Sequence, residues 1–130
     1  MSAFRKLSAI LVFAGIAFFL SACSGFKIGN IDDVREASDL AVACKTNEAL
    51  VAIDHAVQGG GLGGAIGDLQ RVVILRDAGR IEEANEAMAE RNRRWNVNAQ
   101  DADEAEKAVN ESVEVLRAER QKKVGRRTCD

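Results

Sequence analysis

Hydrophobic and polar positions change rhythm twice along this chain. From Leu7 to Leu20 the residues are almost continuously apolar, a run of 14 preceded by Arg5 and Lys6. That run is short for a bilayer-spanning helix and suits the apolar core of a secretory signal. Residues 24–31 show no period. From Asp32 onward apolar positions recur at helical spacing. Val34, Ala37, Leu40, Ala41 and Cys44 mark a first helix that Asp32 and Asp33 are placed to cap, and a Lys45-Thr46-Asn47 break follows. Ala49, Ala52, Ile53 and Ala56 mark a second helix over 48–57.

The stretch Gly59-Gly60-Gly61-Leu62-Gly63-Gly64 reads as a flexible joint, because glycine loses the most backbone entropy in a helix. A third helix is expected from about Ala65, with Ile66, Leu69, Val72 and Val73 on one side, ending at Gly79. Ile81, Ala84, Met88 and Trp95 form the stripe of a fourth. Asn98 can cap a fifth that buries Ala102, Ala105, Val109, Val113 and Leu116. The pattern predicts an all-α domain over 32–124, with two helix-turn-helix hairpins and a C-terminal capping helix. A basic tail, 125–130, ends beside Cys129.

The apolar run ends in Leu20-Ser21-Ala22-Cys23, which resembles the bacterial lipobox: a branched apolar residue, two small ones, then cysteine. The resemblance implies removal of a signal peptide, residues 1–22, and acylation of Cys23. Residues 23–31 then form a lipidated tether. Ser24, rather than aspartate, follows the cysteine, which favours the periplasmic face of the outer membrane over retention in the inner one. Several acyl chains on one residue make a stable anchor where a single chain is marginal.

Taking away the signal changes the composition. Of 18 Lys and Arg two leave, so 16 face 20 acidic residues, a net charge of about −4. A generally basic nucleic-acid binder is excluded. Only Phe26 and Trp95 remain as aromatics, and the chain has no proline, so the core is built from Ala, Val, Leu and Ile. Two cysteines, Cys44 and Cys129, are left besides Cys23. In an oxidising periplasm an isolated pair usually forms a disulfide. A bridge within the chain is expected, because it would tie down an otherwise loose tail, the alternative being free or intermolecularly paired thiols.

The two hairpins superpose at an offset of 35 residues: Asp33 on Asp68, Leu40 on Leu75, Lys45 on Arg80, Glu48-Ala49 on Glu83-Ala84, Ile53 on Met88. Ala78-Gly79-Arg80-Ile81-Glu82-Glu83-Ala84 resembles the inter-helix turn of a tetratricopeptide repeat. The departures are Asp33 and Asp68 at the early aromatic position, Cys44 at the first turn glycine, and no closing proline. A short solenoid of that kind and a generic alanine-rich bundle are both open on the pattern.

Little in the chain points to catalysis. Gly59, Gly61 and Gly64 spell G-x-G-x-x-G, but what precedes them is patterned as a helix where a dinucleotide site needs a strand. Gly59, Gly63 and Gly67 have the small-xxx-small spacing of membrane helices, but Asp54, His55, Asp68 and Arg71 flank them. His55 is the only histidine and lacks partners at metal-ligand spacing. No enzyme, metal or cofactor is expected. Arg91, Arg93, Arg94 and Trp95 form one cationic and aromatic cluster. Arg126 and Arg127, with Arg117, Arg120, Lys122 and Lys123, form another. Either suits an anionic partner. The leading expectation is a non-enzymatic adaptor for an envelope assembly or secretion complex, with a protein partner. The alternative is a structural lipoprotein whose basic tail binds lipopolysaccharide or peptidoglycan.

Overall fold

The computed structural model describes residues 28–130; the signal peptide, Cys23 and the first part of the tether lie outside them. Five helices follow one another: α1 Ile31–Val42, α2 Thr46–Gly59, α3 Gly61–Asp77, α4 Ile81–Arg94 and α5 Ala99–Val124. Among the described residues there is no strand. Consecutive helices form hairpins, α1 on α2, α2 on α3 and α3 on α4, while α5 packs on α3 and α1.

The 35-residue register reappears in the backbone. α2 and α4 run over Thr46–Gly59 and Ile81–Arg94, offset by 35 at both ends, and α1 and α3 end at Val42 and Asp77. Their terminations match bond for bond. The Lys45 amide donates to the Leu40 carbonyl at 2.9 Å and the Arg80 amide to Leu75 at 2.9 Å. The residues at the turn, Cys44 and Gly79, have φ of +62° and +75°. This is the left-handed helix stop that favours glycine. Cys44 therefore departs from glycine in identity while keeping its conformation.

α3 is the central helix. Val72, Val73, Ile74 and Leu75 are all buried, which a one-faced helix does not allow. They are covered because α3 packs on all four other helices. The small residues Ala37, Ala49, Ala56 and Ala84 have no exposed surface and let the neighbouring backbones approach closely.

Three expectations shift. The glycine stretch breaks only at Gly60, and α3 begins at Gly61, ahead of Ala65. Close approach is the reason. A Cβ on Gly63 would lie 3.1 Å from the backbone of Asn30 and Ile31, and one on Gly67 3.2 Å from the Val57 side chain. The packing these glycines permit offsets their entropy. At the start of α1, Asp32 and Asp33 occupy the first turn and favour the helix dipole, but they form no cap. The N-cap is Asn30, whose amide side chain donates to the His55 carbonyl at 3.3 Å. Finally, Ile81 and Trp95 are exposed, so the buried face of α4 reduces to Ala84 and Met88.

The fifth helix follows the expectation closely. The Asn98 side chain accepts from the Asp101 amide at 2.9 Å, and Ala105, Val109, Val113 and Leu116 are buried. Rather than stacking chiefly on α4, α5 lies across α3 and α1, the first helices of the two hairpins.

Candidate functional site

The side chain that holds α5 in place is Arg120. It continues the stripe of Ala105, Val109, Val113 and Leu116 by one more helical step, and its exposure is 0%. Its guanidinium donates to two carbonyls at the end of α1, Val42 at 3.2 Å and Ala41 at 2.9 Å, the latter also accepting from the Cys44 amide. It also reaches both carboxylate oxygens of Asp77, at 3.2 and 2.5 Å, and the Arg127 carbonyl at 2.6 Å. Asp77 is 5% exposed at its side chain and takes a further bond from Arg117 at 3.1 Å. One carboxylate and three carbonyls thus share a buried cation, at a helix C-terminus where positive charge is favoured.

The disulfide closes the same corner. Cys44 and Cys129 are joined, with Cα atoms 5.5 Å apart and a sequence separation of 85. The tail is therefore part of the fold. Among the described residues every buried side-chain nitrogen and oxygen has a hydrogen-bond partner.

The cationic residues singled out from the sequence fall into two separate groups. Arg91, Arg93, Arg94 and Trp95 stand at the end of α4, beside the N-terminal half of α3. Arg94 bonds both oxygens of Asp68 at 2.9 and 3.1 Å, the Trp95 Nε1–H donates to Asp68 at 2.9 Å, and Arg93 pairs with Glu90. Arg91 donates to the Asn92 side chain at 2.9 Å. Arg126 is exposed, and Arg127 pairs with Glu114 at the opposite end of α3. The two groups do not form one surface.

An open cleft of about 470 Å³ runs between α3 and α4, lined by Asp68, Arg71, Leu75, Glu83, Glu86 and Glu90 among others. At its rim Arg80 grips Glu83 through two nitrogens. That hydrogen bond holds the Glu83 carboxyl below the ordinary carboxylate range and raises the Arg80 guanidinium. Arg71 is tied to Asp54 across from α2. Leu75 and Met88 are buried and face the core.

The G-x-G-x-x-G glycines span the end of α2 and the start of α3, with a helix where a nucleotide site has a strand. His55 is exposed on α2. Among the described residues no three His, Cys, Asp or Glu side chains converge as a metal site does, and no helix is long and apolar enough to cross a membrane. No family model, curated protein or solved structure matches the chain.

Sequence reasoning missed Arg120 and Asp77. Arg120 reads as one more tail cation, yet its place on the apolar stripe of α5 was the available signal.

Proposed function

We propose that this chain is a bacterial lipoprotein, held through acylated Cys23 at the periplasmic face of the outer membrane, whose helical domain is a non-enzymatic adaptor for an envelope complex. The observation that carries the adaptor reading is the 35-residue register, matched at both ends of α2 and α4 and at the stops of α1 and α3. We read this register as that of tetratricopeptide-like hairpins, whose inter-helix turn the Ala78–Ala84 segment resembles, and such repeats serve as binding scaffolds. The bridge between Cys44 and Cys129 supports an oxidising compartment, where such bonds persist. The Leu20-Ser21-Ala22-Cys23 sequence supports the anchor.

α5 lies across α1 and α3, and the cleft between α3 and α4 is one of the surfaces it leaves open, the one to which we assign a partner. Glu83 and Glu90 are paired with Arg80 and with Arg93 and Arg94, which leaves Glu86 as the carboxylate of this cleft that suits a cation on a partner segment.

The test is a pull-down from cross-linked envelopes with the intact protein, a Cys23→Ser form and a Glu86→Lys form, followed by mass spectrometry. A defined set of assembly or secretion components, recovered with the intact form and depleted with Glu86→Lys, is the expected result. Recovery of lipid and wall material alone, with no stoichiometric protein, would refute the adaptor.

A further inference from the structure

We propose that the end of the domain at which the chain enters lies on the bilayer, seated there by Ile28, Leu62, Ile66 and Trp95. The proposal rests on the reading of Cys23 as the acylated residue. Because the hairpins alternate in direction, the start of α1, the α2–α3 turn and the α4–α5 turn share one end. The entering chain is tied to that end: the Gly63 amide donates to the Ile28 carbonyl at 2.8 Å, and the Asn30 side chain bonds His55. Five residue steps separate Cys23 from Ile28, a reach of at most about 17 Å at ~3.4 Å per residue. An acylated Cys23 therefore keeps this end within about 17 Å of the membrane surface, close enough for its apolar side chains to reach the bilayer.

Four large apolar side chains are left uncovered at or next to this same end. Ile28, Leu62, Ile66 and Trp95 are 53%, 43%, 38% and 51% exposed, and they are half of the eight such residues described. Leu62 and Ile66 sit one turn apart beside the α2–α3 turn. The indole of Trp95 has a single polar atom, and that N–H is bonded to Asp68. The ring surface left exposed is all carbon, the face an interfacial tryptophan offers to acyl chains.

Most cations at this end are paired: Arg93 and Arg94 with Glu90 and Asp68, Arg71 with Asp54, and Arg35 with Asp32. Arg91, bonded to the neutral Asn92, and the exposed Asp101 and Asp103 carry opposite charges. Attraction to and repulsion from an anionic surface therefore largely offset, and the apolar contact is only weakly sensitive to salt.

Trp95 is the only tryptophan, which makes it a native reporter. Full-length lipidated protein is placed in phosphatidylethanolamine–phosphatidylglycerol vesicles, with and without brominated acyl chains. The expected result is a blue shift of Trp95 emission, strong loss of emission in brominated vesicles, and no recovery as salt is raised. A Leu62→Ser/Ile66→Ser variant should lose much of the quenching with an unchanged thermal unfolding curve. Two results overturn the proposal. In one, Trp95 stays open to iodide while the protein still floats with the vesicles. In the other, it is shielded from iodide but unquenched by bromine, which places a protein over it. The mass of the N-terminal peptide separates the two levels: without acyl chains on Cys23 the anchor itself fails, and with them only the seating of this end does.

Discussion

Replacing Asp77 with alanine should be among the most damaging single changes in the domain. Arg120 would be left at 0% exposure with its two Asp77 contacts gone and only backbone carbonyls of Ala41, Val42 and Arg127 as partners. Removing one partner of a buried ion pair costs roughly 3–5 kcal/mol, because the remaining charge stays desolvated. The total stability of a domain of this size is about 5–15 kcal/mol, so the loss is a large share of it. Replacing both residues, as Asp77→Leu with Arg120→Met, removes the stranded charge and should recover part of the loss. Recovery stays incomplete, since the Val42 and Arg127 carbonyls also lose the Arg120 donor. Urea unfolding of the wild type, both single variants and the double variant gives the coupling directly. A cost below about 1 kcal/mol for Asp77→Ala, the level of an exposed pair, would show that Arg120 is not the buried fastener of α5.

Other consequences follow from the same geometry. Breaking the disulfide with Cys129→Ser should lower stability by roughly 4–5 kcal/mol in the chain-entropy model for an 85-residue separation, read as a shift in the urea midpoint. In that background Cys44→Gly should restore about 1 kcal/mol, because Cys44 holds φ at +62°, where a side chain is strained. Gly63→Ala should lower the melting temperature although alanine is the better helix former: its Cβ meets the Asn30 and Ile31 backbone at 3.1 Å. Glu83 should titrate below the ordinary carboxylate range by NMR and return to it in Arg80→Gln. Its folded pKa is the lower one, so the small stabilisation by Arg80 is present above the unfolded value, about 4.3, and is lost as pH falls through the folded one.

Much of the fold could be read from local pattern. The five helices, the Asn98 cap, the Gly79 stop and the stripe of α5 each depend on neighbours a few residues away, where propensity and spacing act. The count of cysteines and an oxidising compartment pointed to a disulfide, and the fold, which brings the tail beside the α1–α2 turn, makes it a bridge within the chain. What escaped depends on contacts distant in sequence. The glycines of 61–67 read as a joint because their entropy is visible locally, while the Asn30 and Val57 atoms that require them are not. Arg120 carries the same charge as its neighbours, and only Asp77 and the end of α1, 43 and 78 residues away, make it a core residue. Ile81 and Trp95 keep the right phase for burial but lie beyond the reach of α5, which crosses α3 and α1 instead. The surface clefts were not legible at all, because they arise between helices rather than along one.

The intact mass of the protein purified from envelopes tests at once the proposed acylation of Cys23 and the bridge between Cys44 and Cys129. The expected species has lost residues 1–22, begins at an acylated Cys23 and is two hydrogens lighter than its reduced form. An unprocessed chain, a cleaved chain without acyl groups, or one whose mass is unchanged by reduction would contradict it.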